Sequence, residues 1–168
     1  MVFLKTFRGS ALVALFLCLA AAASWLLPMR SAADVVFDKG RLQMTLTTGE
    51  IVSLDVEWAL TADQRARGLM GRERLADDEG MLFDFGVTRM VTMWMENTIL
   101  SLDMVFIDEE GRVVRVAERT VPFSRDIVGS GVPVRYVLEI RAGRASELGI
   151  AEGARLVLPL DYATDAKP

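Results

Sequence analysis

The 168-residue chain carries 19 basic and 23 acidic side chains, for a net charge of −4, and it has one cysteine and no histidine. These counts exclude Ser-His-Asp and Cys-His catalysis, and also zinc sites of the usual cysteine and histidine type. The acidic balance argues against nucleic acid or an anionic membrane surface as a partner, because both bind basic faces. The length suits one domain with its own core.

The first 33 residues have the pattern of a secretory signal peptide. Lys5 and Arg8 precede an apolar run over residues 11–27, and small residues follow at positions 31–33. We therefore expect a periplasmic or secreted protein that is cleaved before Asp34. In the alternative, the leader is retained and anchors the domain to the inner membrane, since the run is only slightly short for a spanning helix.

Two strands are expected to follow the leader. Apolar and polar residues alternate over residues 41–47 and again over residues 50–58, and Thr48 and Gly49 separate the two runs. This alternation is typical of antiparallel strands with one buried face. We predict a hairpin whose core-facing residues are Leu42, Met44, Leu46, Val52, Leu54, Val56 and Trp58.

A short helix is predicted to begin after Thr61, because Thr61 and Gln64 have the spacing of a capping box. Gly68 is expected to end it. Four arginines crowd this region, and two interpretations remain open. They form a solvated charged face, or one of them is recruited into an anion-binding pocket. These arginines are Arg65, Arg67, Arg72 and Arg74.

The central stretch, residues 80–108, contains apolar runs of four to eight residues that are typical of buried strands. After it we expect strands over residues 112–121, 134–140 and 155–160, an irregular loop over residues 122–133, a short helix within residues 141–148 and a polar tail over residues 161–168. Residues 34–160 are thus predicted to form one mainly β domain with one or two short helices. The expected architecture is a jelly-roll-like β-sandwich or a partly closed barrel.

Five motifs occur in a fixed order and carry a family resemblance. They are Arg65-x-x-Gly68-Leu69-Met70-x-Arg72, Gly80-Met-Leu-Phe-x-Phe85, Met93-Trp-Met-x-Asn97-Thr98, Leu102-Asp103-x-x-Phe106-Ile107-Asp108, and Tyr136-Val-Leu-Glu139-x-x-Ala142-Gly143 followed by Gly149-Ile150. This pattern closely resembles the domain of unknown function 192 family, which comprises small, often exported bacterial and archaeal proteins. The resemblance spans residues 42–160 and implies a jelly-roll-like β fold, but it implies no activity.

The sequence departs from the family pattern at two places. Glu96 stands where a lysine is expected, and Leu100 and Ser101 replace an Ile-Pro-like pair. A role that requires a cation at position 96 is therefore not expected in this chain.

The favoured function is a non-catalytic binding or structural module whose partner is a small ligand or an envelope protein. Trp94 forms an apolar platform beside Asn97 and Asp103, as small-ligand sites require. Because a buried Asp103 carboxylate needs a partner, we predict that Arg72, Asn97 and Asp103 cluster together. Trp94 or Tyr136 would form the apolar wall of the cluster. Glu139 completes the candidate ligand-binding residues, and neither a metal nor a cofactor is predicted.

Two other functions stay open. A hydrolase acting on an envelope saccharide would pair Asp103 with Glu139 or Asp84, because such chemistry uses two carboxyl groups at a defined separation. Copper(I) binding would use methionine thioethers, which are soft ligands. The expected sulfur ligands are Met90, Met93 and Met95.

Overall fold

The structure, a computed structural model, describes residues 35–159 and 162. In chain order, its elements are β1 (Asp38–Thr45), β2 (Ile51–Ala59), α1 (Ala62–Arg67), β3 (Glu79–Met93), β4 (Leu102–Ile107), β5 (Val113–Ala117), β6 (Val128–Arg141), α2 (Arg144–Leu148) and β7 (Arg155–Val157). The predicted leader over residues 1–33 lies outside the described residues, as do Leu160 and all of the predicted tail except Tyr162. Among the described residues, no helix is long and apolar enough to cross a membrane.

The seven strands of the described residues belong to one curled sheet, in the order β5-β4-β6-β3-β2-β1-β7. The β2–β3 pair is parallel and the other neighbouring pairs are antiparallel. The two ends of the sheet approach each other through a bridge between Arg112 and Arg155 and through the Val113 amide, which donates to the Ala154 carbonyl at 2.8 Å. The mainly β class is confirmed, and the sheet takes the half-barrel form rather than that of a two-sheet sandwich.

The first hairpin is confirmed with the predicted face in the core. Leu42 lies opposite Leu54 in the β1–β2 register, and both side chains are buried. Gly49 supplies the positive φ angle of 88° in the turn, a conformation that glycine adopts without steric cost. Arg41 and Asp55 also lie opposite each other, and they form an ion pair on the outer face.

Both short helices occupy the predicted segments. The Thr61 hydroxyl accepts the Gln64 amide, and the Gln64 side chain in turn accepts the Thr61 amide, so the predicted capping box is present. Gly68 ends α1, as predicted, and Gly149 ends α2 in the left-handed conformation.

The predicted loop over residues 122–133 is wrong in its second half, because β6 begins at Val128. Glycine and proline residues in this segment favour a loop, but β3 continues to Met93 and provides a pairing edge. Thr92 lies opposite Gly129 and Met90 opposite Pro133. Register shifts accompany this pairing, and such irregular positions are where a proline is tolerated in a strand.

Apolar side chains are buried on both faces of the sheet. One core contains Leu82, Val105 and Leu138, and the other contains Phe83, Phe106 and Val137. Consecutive residues of a strand therefore alternate between two cores rather than between a core and solvent. This arrangement explains why all six residues of β4 are buried.

Candidate functional site

A cavity of about 460 Å³ opens between α1 and the β3 strand. Helix α1 and the segment that follows it form one wall, and β3 with the residues after it forms the other. The charged side chains that line it are Arg65, Arg67, Arg89 and Glu139, and the largest apolar ones are Leu69, Met70, Phe83, Phe85, Met93 and Trp94.

Glu139 is the acidic group of this cavity. It lies in β6 between Met81 of β3 and Met104 of β4, which are both fully buried, and it is itself only 5% exposed. No described residue donates a hydrogen bond to its carboxyl group, yet no described polar side-chain atom is fully enclosed without a partner. The carboxyl group must therefore open on the cavity. Burial raises its pKa to about 8, so it is mainly a neutral hydrogen-bond donor at pH 7.

Two guanidinium groups flank the Phe85 ring. The Arg89 guanidinium lies 4.7 Å from the ring centroid and the Arg65 guanidinium 5.6 Å from it. Arg65 is also fixed by backbone carbonyls, since its Nη1 atom donates to Leu60 and, at 2.8 Å, to Asp84. Within the described part of the chain, neither arginine forms an ion pair with an acidic side chain. Their positive charge is thus available to a ligand.

The apolar part of the cavity runs from its interior to its rim. Phe83 is buried, whereas Trp94 is 52% exposed at the edge. Aromatic walls with a few directional polar groups are usual in sites that bind small organic molecules. Among the described residues, the cavity offers three guanidinium cations, aromatic surface and one carboxyl group, that of Glu139.

Comparison with known proteins shows the family of this chain. The DUF192 family model, described as "Uncharacterized ACR", matches residues 44–158. The chain belongs to the DUF192 family. One similar crystal structure is that of a Sinorhizobium meliloti protein proposed to be a transcription regulator, with 46% identity, a TM-score of 0.72 and coverage of 74% of this chain and 96% of that chain. Another is a Novosphingobium aromaticivorans protein of unknown function, with 32% identity, a TM-score of 0.69 and coverage of 76% and 96%. No curated protein matches the chain.

Of the six site residues predicted for this DUF192 protein, two line the cavity, namely Trp94 and Glu139. Arg65 and Arg67, two of the four arginines that crowd α1, lie in the cavity wall, and anion binding by either of them stays a prediction. Arg72 lies elsewhere, because it forms an ion pair with Glu57. As an arginine, Arg72 was as plausible a site residue as Arg65 or Arg67. Only the path of the chain after α1 places it outside the cavity.

The predicted cluster of Arg72, Asn97 and Asp103 is wrong in its central contact. The fully buried Asp103 carboxylate accepts three backbone amides, from Arg119 at 2.8 Å, Gly143 at 3.0 Å and Ala145 at 2.9 Å. The last two amides belong to the start of α2, where free amides are usual. Asp103 therefore caps a helix and needs no cation.

Asn97 has a backbone role. Its φ angle of 56° lies in the left-handed region, which asparagine tolerates better than most residues. Its carbonyl accepts the Gly71 amide at 3.0 Å, which ties the segment after β3 to the segment after α1. Both segments contribute residues to the cavity wall, so Asn97 supports the cavity without lining it.

Tyr136 lies on the other face of the sheet, opposite Asp84 in the β3–β6 register. There the buried Asp84 carboxylate accepts two bonds from Arg135 at 3.0 Å each, the Gly86 amide at 2.7 Å and the Tyr162 hydroxyl at 2.8 Å. Burial alone would raise the pKa of Asp84, but these hydrogen bonds outweigh it and lower the pKa. All carboxylate oxygens are thus satisfied, and this cluster fixes structure rather than offering a site.

The two alternative functions meet geometric obstacles. Asp103 lies opposite Ile140 whereas Glu139 lies opposite Met104, so the two carboxyl groups point to opposite faces. Among the proposed copper ligands, the Met95 sulfur is buried and accepts the Thr120 hydroxyl at 3.2 Å, while Met90 is 57% exposed. In the described ranges, no group of three or more histidine, cysteine, aspartate or glutamate residues could hold a metal ion.

Sequence reasoning missed Arg89 and Phe85 as cavity residues. Phe85 belongs to a quoted motif, but nothing in that motif indicates that two arginines flank it. Glu139, by contrast, was predicted, and its position in the sequence carries the signal. It is an acid within the apolar run Val137, Leu138, Ile140, and a carboxyl group inside a buried strand requires an explanation.

Proposed function

We propose that this DUF192 protein is an exported, non-catalytic module that binds a small molecule in the cavity lined by Glu139. The supporting observation is the carboxyl group of Glu139, which is almost completely buried, receives no hydrogen bond from a described residue and opens on a cavity of about 460 Å³. A ligand in the cavity would supply the hydrogen-bond partner that no described residue provides to this carboxyl group.

Binding is favoured over hydrolysis because a single carboxyl group of the described residues lines the cavity. Glycoside hydrolysis usually needs two, one as the acid and one as the base or nucleophile. Asp103 caps α2 from the other face of the sheet, and Asp84 is bonded to Arg135 and Tyr162. Neither is available as the second group.

The Sinorhizobium meliloti relative is described as a proposed transcription regulator. We do not propose nucleic-acid binding for this chain. Phosphate backbones are bound by faces with an excess of basic side chains, whereas this chain carries 19 basic and 23 acidic side chains, for a net charge of −4. The three arginines at the cavity surround a concave site, which suits a small anion better than a duplex.

Export is proposed from the leader alone. Its basic residues, apolar run and terminal small residues predict cleavage before Asp34. Mass spectrometry of the protein isolated from its host should therefore find an N-terminus at or near Asp34. A soluble protein that retains Met1 would contradict the proposal, and a membrane-bound one that retains it would favour the anchored alternative.

The binding function can be tested by filling the cavity. Ala66 lines the cavity from an exposed position on α1, so Ala66→Trp should occupy the space without disturbing either core. Ala151→Trp places the same side chain at an exposed loop position and serves as the control. A fragment library is screened by ligand-observed NMR against the wild type and both variants. We expect fragments whose binding is lost only in Ala66→Trp.

Two results would contradict this proposal. If no fragment binds in a way that Ala66→Trp abolishes, the cavity is not a ligand site. If bound fragments are converted to new compounds by the wild type and not by Ala66→Trp, the protein is an enzyme. The same NMR spectra record both binding and conversion.

A further inference from the structure

The charged groups of the cavity lie at two different levels of the sheet. Glu139 is directly opposite Met81 of β3, and Phe85 follows four residues later on the same strand. A strand advances about 3.3 Å per residue, so these levels are separated by roughly 13 Å. Arg65 and Arg89 flank Phe85. The cavity therefore has a cationic end and an acidic end.

The charge of a suitable ligand follows from the groups that face the cavity. Arg65 and Arg67 face it from α1 and Arg89 faces it from β3, whereas Met81 and Met104 adjoin Glu139 from the neighbouring strands. No described acidic side chain other than Glu139 lines the cavity. Three guanidinium groups repel a cation and attract an anion. A neutral Glu139 leaves that attraction intact, whereas an ionised Glu139 would oppose it.

Arg89 is the best placed of the three to hold an anionic group. Arg65 already donates to two backbone carbonyls, which fixes its position. Arg89 is exposed, and its guanidinium group lies against the Phe85 ring. This group forms no hydrogen bond or ion pair with another described residue. Its guanidinium donors are therefore free to form the paired hydrogen bonds that arginine makes with a carboxylate.

We infer, resting on the proposed binding function, that the ligand is a small organic anion whose carboxylate binds Arg89 and whose apolar, uncharged body extends toward a protonated Glu139. Phe83, Phe85 and Trp94 contact the apolar body, and Glu139 donates a hydrogen bond to a neutral atom of the ligand or to a trapped water. Inorganic anions lack the apolar part and bind weakly.

The first test compares charge states on one carbon skeleton. Titration calorimetry at pH 7 measures indole-3-acetate, indole-3-acetamide and tryptamine, then octanoate, octanamide and octylamine. We expect one or both carboxylates to bind at least about tenfold more tightly than the matching amide and amine. Arg89→Gln should remove that preference, and Arg155→Gln, at an exposed position on β7, should leave it unchanged.

The second test uses pH and Glu139→Gln, which keeps a neutral hydrogen-bonding group at every pH. The wild type should lose affinity for the carboxylate between pH 7 and pH 9 as Glu139 ionises. Whatever affinity the variant has at pH 7, it should keep at pH 9, because residue 139 no longer ionises. An equal loss of affinity between pH 7 and pH 9 in the variant and the wild type would overturn the role of the protonated acid.

These experiments test separately whether the ligand is an organic anion and whether the cavity binds any ligand. If amides or amines bind better than carboxylates and Ala66→Trp abolishes that binding, the site stands and the anionic ligand is wrong. If none of the six compounds binds, the anionic class is also wrong, and the fragment screen decides separately whether the cavity binds anything.

Discussion

Asp103 and Glu139 lie on directly paired strands, yet their carboxyl groups point to opposite faces of the sheet. In the β4–β6 register, Asp103 is opposite Ile140 and Glu139 is opposite Met104. The Asp103 carboxyl group accepts hydrogen bonds from three backbone amides, whereas the Glu139 carboxyl group receives no hydrogen bond from any described residue. Two buried acids of similar sequence context thus have different roles, one structural and one at the candidate site.

Asp103→Asn should destabilise the fold without changing the cavity. An asparagine side chain has one acceptor oxygen instead of two, so an amide of Arg119, Gly143 or Ala145 would face an NH₂ group. We expect the free energy of unfolding to fall by about 2 kcal/mol. Urea titration measures this loss, and fragment binding should persist in the folded variant.

The control for this change is Asp38→Asn, which alters an exposed aspartate on β1. It should leave the free energy of unfolding nearly unchanged. Equal effects of the two substitutions would contradict the capping role of Asp103. Loss of fragment binding in a stably folded Asp103→Asn would instead place this residue in the site.

Glu139 should make the fold less stable as the pH rises. Its pKa of about 8 in the folded chain exceeds the ordinary glutamate value of 4.5, so the folded state binds more protons than the unfolded state between these values. Stability then falls with rising pH over this window, by at most about 1.4 kcal/mol per pH unit, and levels off above it. Urea titrations at pH 5, 6, 7 and 8 measure the trend.

Glu139→Gln isolates this contribution, because every other ionisable group stays the same. The stability of the variant relative to the wild type should increase steadily from pH 5 to pH 8. A constant difference across that range would show that Glu139 titrates normally, and it would remove the neutral donor from the site.

Tyr162→Phe should lower the free energy of unfolding. The hydroxyl of Tyr162 donates to Asp84 at 2.8 Å, and its ring packs against Trp58 at a centroid distance of 5.1 Å. The variant loses only the hydrogen bond to a carboxylate, so we expect a loss of about 1–2 kcal/mol by urea titration. Tyr136→Phe is the control, since its hydroxyl has no recorded hydrogen bond with the described residues, and it should cost less.

The same cluster should affect stability in acid. The lowered pKa of Asp84 means that its stabilisation is present above its unfolded-state pKa and is lost as the pH falls through the lower folded value. The difference between Tyr162→Phe and the wild type should therefore shrink in strong acid. A difference that does not change down to the acid transition would contradict the bond to Asp84.

Leu54→Ala and Asp55→Ala test the register of the first hairpin. Leu54 is 1% exposed in the core, whereas Asp55 lies on the outer face and pairs with Arg41. Removing the buried side chain should cost about 2–5 kcal/mol, and removing the exposed carboxylate should cost much less. Similar losses in chemical denaturation would show that the two faces are wrongly assigned.

Local patterns predicted the hairpin and both helices well because their causes are local. Alternation with period two decides which face of β2 is buried, and the Thr61–Gln64 capping box forms within one turn. The segment before Val134 was predicted as a loop because its glycines and prolines favour one. That expectation failed because the long β3 strand supplies a partner from a distant part of the chain.

The sequence by itself determined the strand faces, the helix ends and the exclusion of histidine and cysteine chemistry, because these depend on residue type and short-range spacing. Only the tertiary structure decided which polar residues meet. Arg89 approaches Phe85 and Glu139 faces the cavity because β3 and β6 are paired and α1 packs beside them. Asp103 instead accepts backbone amides at the start of α2. Such contacts join residues far apart in the chain, and the burial that raises the pKa of Glu139 exists only after β6 has paired with β3 and β4.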